Sequence, residues 1–329
     1  MEEHKWRYLY AFLSLEHAKS LENYVTALRD LEHRAREYYA ETIKLSSDEF
    51  VKMMLLDGFV FLLRYMFPKH RDHGRDPIFD TMWMLNALHI DMKLLENQLP
   101  FFVLERLDYR TAYAARPSLL ELTTFYFGNL VKMDEIPKNH YMPSPTSESY
   151  PSIQVPYSIV APSRPQEKHF LHLLQSCYTP SFQWKSPKAK GEKTYECTRS
   201  LTELDEAGVK FKVVSSNCFF DVKFTSGELE IPHLQITGFT ESFRNLIALE
   251  QCHQFDKPYI TSYSVLMDSL ISTPNDVALL IRYEIFEFLG SNEEVALLFN
   301  NLSREVSLGI KISYFSGLCK DLNSYCNMR

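Results

Sequence analysis

From Leu21 to Tyr38 the apolar residues Leu21, Tyr24, Leu28, Leu31, Ala35 and Tyr38 recur at alternating steps of three and four, with charged residues between them. That period predicts a helix with one apolar stripe, which serves equally for packing inside a globule or for a coiled-coil seam between chains. Ser46 and Glu49 form a capping-box pair just before the run FVKMMLLDGFVFLLRYMF. A hydroxyl and a carboxylate at that spacing satisfy backbone N–H groups at a helix start, so a buried central helix is predicted there. The prolines and glycine of PKHRDHGRDP at 68–77 end it, and a second helical pattern runs through Phe79, Met82, Trp83, Ile90 and Leu94.

Nine of the 16 prolines lie between Pro137 and Pro187, in a stretch rich in Ser, Lys and Tyr that has no period. It reads as an exposed, mobile connection over 137–200, either an interaction loop or a tolerated insertion. Beyond it the period changes to two. Val209, Phe211 and Val213 alternate with polar residues, then Phe220, Val222 and Phe224 do the same, and Leu229 and Ile231 follow Ser226-Gly227. These predict a small antiparallel sheet with a hairpin turning at Gly227, and Pro232 shortens the returning strand or places it at an edge. Helices return with Thr240 before FRNLIALEQ, Thr273-Pro274 before VALLIRYEIF, and Ser291/Glu294 before VALLFNNL. The expected fold is predominantly α-helical, of α+β class, with a helical part over 1–136, the connection, and a hairpin followed by helices over 201–329 that pack on the same body.

The tract DMKLLENQLPFFVLERL at 91–107 carries the most local information. Pro100 lacks an amide donor and clashes with the preceding turn, so a helix running to about Asn97 should stop and a new one begin with Pro100 in its first turn. The restarted helix is apolar nearly all round, which predicts deep burial. Glu96, Asn97, Gln98 and Glu105 are then polar exceptions, best placed by hydrogen bonds to helix ends or by a cation.

Charge narrows the chemistry. With 35 Lys and Arg against 42 Asp and Glu, the net charge of -7 offers no basic footprint for a phosphate backbone, so nucleic acid is not an expected partner. The six cysteines show no C-x-x-C pair or His spacing for zinc and read as buried free thiols in a reducing compartment. Phe50–Phe67 is about long enough to span a bilayer, but Lys52, Asp57 and Arg64 interrupt it. The N-terminus has no signal-peptide pattern. The sequon Asn301-Leu302-Ser303 falls inside a helical pattern.

Signals for catalysis are sparse. His70-Arg71-Asp72 stands without the glycine-rich loop or metal-binding triplet of a kinase, and none of the ten glycines makes a phosphate-binding motif. Cys252 and His253 are neighbours whose side chains diverge on a helix, so a buried structural cysteine is expected. No catalytic residue, cofactor or metal site is expected. Three functions compete: a non-catalytic module recognising a protein partner through loops such as 137–187; an enzyme in which Glu96, Glu105, His89 or His73 converge; and a protein self-associating through the 21–38 stripe.

Leu94, Leu95, Glu96, Asn97, Gln98, Leu99, Pro100, Phe101 and Phe102, within LLENQLPFFVLERL, resemble the signature of the plant family called domain of unknown function 247, or uncharacterised protein family 0481. MEEHKWRYL, YYAETIKLSSDEFVKMMLLDG, TELDEAGVKFK, LEIPHLQI, FRNLIALEQC, PNDVALL and GSNEEVALLFNNL extend the resemblance over the chain outside the Pro-rich segment. Members of that family typically start some tens of residues further upstream and end in a hydrophobic anchor beyond the position of Arg329. The resemblance therefore implies a soluble body facing the cytosol, with attachment to the plasma membrane through a tail absent from this chain. It implies no catalytic residue. The link of some grass members to self-incompatibility suggests recognition.

Overall fold

The computed structural model describes residues 2–14, 18–62, 81–108, 118–121, 123, 169–177, 197–216, 218–236, 239–253, 258–288, 290–304, 306 and 314–328. Helix accounts for 62% of the described residues and a small mixed sheet for most of the rest of their regular structure, which makes this a mostly helical α+β fold. It divides into two compact units, Met1–Cys177 and Tyr178–Arg329.

The first unit contains α1 (Glu2–Leu13), α2 (Leu21–Arg36), α3 (Ser47–Phe61), α4 (Met82–Asp91), α5 (Phe101–Leu107) and α6 (Phe170–Cys177). Helix α3 is the hub, touching α1, α2 and α5. Phe12, Tyr24 and Phe59, one from each of the first three helices, meet with ring centroids 4.1 to 5.8 Å apart. The heptad stripe of α2 is used here, with Tyr24, Leu28 and Ala35 buried, while its first member Leu21 is exposed. The Ser46/Glu49 box caps α3 as its spacing predicts. Arg36 then binds the connection before α3, donating to the carbonyls of Ile43, Leu45 and Ser46. The punctuation at 68–77, with His70-Arg71-Asp72, lies outside the described residues.

The second unit contains α7 (Leu201–Glu206), β1 (Lys210–Val214), β2 (Lys223–Thr225), β3 (Glu228–Pro232), β4 (Leu234–Gln235), α8 (Phe239–Cys252), α9 (Tyr259–Leu270), α10 (Pro274–Arg282), β5 (Phe286–Glu287), α11 (Asn292–Ser303) and α12 (Ser316–Asn327). Helix α9 is its core element, buried without a break from Ile260 to Met267 and packed on α8 and α11. Helix α8 begins at Phe239, so Thr240 is inside it rather than before it.

The hairpin is present but the sheet is mixed. Strands β2 and β3 pair antiparallel, with Thr225 opposite Glu228 and Ser226-Gly227 as a two-residue turn. Both turn residues have positive φ, 55° and 85°. Strand β1 pairs parallel to β3 on its other side, giving the order β1-β3-β2. Alternation reports which face a strand buries but not its neighbour. Here the hairpin inserts β3 between two strands that are consecutive in sequence. The expected strand around Phe220–Phe224 shrinks to three residues, because Cys218–Val222 forms a turn with Asp221 N–H donating to the Cys218 carbonyl.

The segment 137–200 is described only at 169–177 and 197–200. The first stretch is α6, with Phe170, Leu171, Leu173 and Leu174 buried in the first unit. The second leads into α7 through Ser200, whose hydroxyl forms an unanticipated capping box with Glu203.

Candidate functional site

The tract around Pro100 folds as a corner between α4 and α5. Helix α4 stops at Asp91, six residues before the expected end at Asn97, and Pro100 stands just outside α5 as its N-cap. The earlier stop has a cause in side chains. Asn97 Nδ2 donates to the carbonyl of Asp91 at 3.0 Å, while Gln98 Nε2 donates to the carbonyls of Met92 at 2.9 Å and Leu94 at 2.6 Å. Carbonyls that a longer helix would have satisfied internally are taken by these two amides.

Gln98 is buried and its other end is used as well. Its Oε1 accepts the N–H of Leu171 at 3.0 Å, a free amide in the first turn of α6. His169, also buried, presents Nδ1 to the N–H of His172 at 3.3 Å. The α6 start is thus capped by two side chains, one from 73 residues away in sequence. Phe101 packs edge-on against Phe170 at 6.0 Å. From α2 and the turn after it, the Arg34 guanidinium lies 3.9 Å from the centre of the Phe102 ring and Tyr38 meets that ring edge-on. The Tyr39 hydroxyl donates to the Gln98 carbonyl at 3.0 Å. Burial, aided by Asp57, raises the ionisation of Tyr39 well above that of a free phenol, so it stays a neutral donor.

Helix α5 is one-sided rather than buried all round. Phe101, Val103, Leu104 and Leu107 are buried, Phe102 is half-buried, and Glu105 and Arg106 are exposed. Its buried face approaches α3 so closely that a Cβ on Gly58 would fall inside a Leu107 methyl. Glu105, though its residue is exposed, has its carboxyl raised from its ordinary value by partial desolvation against the neighbouring helix faces, with Arg34 opposing the shift. Glu96 is exposed on the corner. The side chain of His89 and all of His73 lie outside the described residues.

Two further polar anchors occur in the second unit, at carboxylates that the helical patterns there did not single out. Asp276 is wholly buried and accepts five hydrogen bonds: from Thr202 N–H and hydroxyl on one oxygen, and from Ser272 N–H, Thr273 N–H and the Thr273 hydroxyl on the other. Burial alone would raise its pKa; the Thr202 and Thr273 bonds outweigh it and hold the carboxyl below its ordinary range. One carboxylate therefore caps α10 and anchors the start of α7. Glu250, buried near the end of α8, accepts from the N–H groups of Ile260 at 3.2 Å and Thr261 at 2.7 Å, which caps α9.

The thiols divide. Cys218, Cys319 and Cys326 are buried thiols, but Cys197 and Cys252 are exposed, against the expectation for all six. Cys252 faces solvent because α8 is at its last residue there. The side chain of Cys177 is outside the described residues. Among the described residues no group of three His, Cys, Asp or Glu side chains is arranged to hold a metal ion, and no helix is long and apolar enough to cross a membrane. Asn301 is exposed on α11, inside a regular helix.

Fold and corner together define a mostly helical α+β protein whose signature residues clamp helix ends to one another. The chain belongs to the plant family of unknown function, domain of unknown function 247, whose model matches residues 1–329. It is similar to UPF0481 protein At3g47200 of Arabidopsis thaliana, 28% identical over 99% of this chain and 69% of that protein. It also resembles a second Arabidopsis thaliana UPF0481 protein, At3g02645, at 30% identity over 38% of this chain and 24% of the relative. No solved structure matches it.

Proposed function

We propose that this chain is the body of a non-catalytic recognition module that binds a protein partner, is held at the plasma membrane by a tail in its full-length form, and presents the Pro-rich segment from the cytosolic side. The observation that supports this is how the signature is used. Asn97 and Gln98 spend their amides on the carbonyls of Asp91, Met92 and Leu94 and on the N–H of Leu171. They are positioned to hold a scaffold rigid, which is what a recognition surface on variable loops requires.

Proximity labelling in plant cells tests it, comparing the full-length protein with a form lacking residues 138–160. That deletion spares His169–Cys177, which the corner needs. A set of labelled partners that shrinks on deletion supports the reading, and identical sets remove the segment from it.

A further inference from the structure

Helix α9 carries four consecutive hydroxyl residues, Thr261, Ser262, Tyr263 and Ser264, each at most 1% exposed. Ser262 is used, accepting the N–H of Tyr314 at 3.2 Å. The hydroxyls of Thr261, Tyr263 and Ser264 have no hydrogen-bond partner among the described residues. These three are not equivalent. A Ser or Thr hydroxyl on a helix can turn back to the carbonyl four residues earlier, as Ser269 does to Val265 and Ser324 to Lys320. The phenol of Tyr263 reaches too far from its own backbone for that.

Tyr263 is held where it is by its ring. Phe219, Phe220, Phe243 and Phe315 surround it at centroid distances of 5.1, 5.4, 5.9 and 6.2 Å, three of them edge-on. Rings packed in this way leave the hydroxyl no freedom to swing toward solvent, and buried phenols almost always find a partner. Burial raises the ionisation of Tyr263 far above the phenol range, so the group is a neutral O–H that both donates and accepts. Phenylalanine would fill the same apolar cage without an orphaned polar atom.

We infer that the Tyr263 hydroxyl is part of an internal binding site for an ordered water molecule, enclosed in the core of the second unit beside α9. Water is the ligand of fitting chemistry, because a group with no exposed surface takes only a molecule small enough to be enclosed during folding, and one that donates and accepts. Cys218 is also buried in this unit, and burial pushes its thiol up to about 12, so it stays a neutral S–H there.

Two measurements on the full chain decide it. A crystal structure at about 1.8 Å should show a water peak at hydrogen-bond distance, about 2.6–3.2 Å, from Tyr263 Oη. Tyr263→Phe should lower Tm by about 2–4 °C, because it strips the water of a partner while keeping the ring. A Tm that is unchanged or raised, or an Oη that bonds directly to a protein group or has no neighbouring density, overturns the site.

Discussion

Gln98 employs both ends of one amide inside the core, and Asp276 both oxygens of one carboxylate, so single side chains join segments far apart in sequence. Replacing Gln98 by Met keeps most of the volume while stranding the Leu171 N–H and the Met92 and Leu94 carbonyls. Unpaired buried groups make that change destabilising by about 1–3 kcal/mol, read as a lower urea midpoint at constant slope. Asp276 ties stability to pH with a definite sign. Its folded pKa lies below its ordinary value, so its contribution is complete above about pH 4 and is lost as pH falls through the lower, folded value. Asp276→Asn should be less stable at pH 7, since an amide N–H₂ would face N–H and O–H donors, and should lose stability less steeply between pH 4 and 2. Urea titrations across that range separate the two forms, and parallel acid limbs would remove Asp276 as the source.

At the scale of elements, the hairpin shows how much a two-residue turn can encode. Ser226-Gly227 has positive φ at both positions, the geometry that matches the twist of the flanking strands. Gly227 is also pressed by α12: a Cβ there would lie 2.6 Å from the Tyr325 hydroxyl and 3.0 Å from its Cζ. Tyr325 in turn packs edge-on against Phe224 of β2. Gly227→Ala therefore combines backbone strain with displacement of a ring and should cost about 1–3 kcal/mol. Ser226→Gly, which relieves only φ, should be neutral or stabilising; thermal melts of the pair test the assignment of both costs. Helix starts were legible for the same local reason. Ser46/Glu49 and Ser291/Glu294 lie within one turn, and their capping boxes form where the spacing puts them. The end of α4 was not legible, because it depends on where the Asn97 and Gln98 amides point once the chain has turned.

At the scale of the whole molecule, the α2 stripe bears on assembly. Tyr24, Leu28 and Ala35 are buried within the first unit, where α2 packs on α3 and α5. With those three positions covered, the stripe has only Leu21 left exposed to offer another chain, and light scattering is expected to give the monomer mass at every concentration. A mass that rises with concentration would point to another face. The stripe itself was evident from its period, but its destination was not, since packing inside a globule and pairing between chains demand the same spacing.

By itself the sequence determined the helical class, the capped starts of α3, α10 and α11, the Gly227 turn, and a resemblance that the family match bears out. All of these depend on residues within a few positions of one another or on a motif read in order. Tertiary structure alone decided that β1 runs parallel to β3, that α5 keeps Glu105 and Arg106 on an exposed face, and that Gln98, Asp276 and Glu250 each cap a helix start. For Gln98 and Leu171, or Asp276 and Thr202, the partners lie more than 70 residues apart. A polar residue's pattern in sequence shows that it needs a partner; only the folded path of the chain brings that partner within 3 Å.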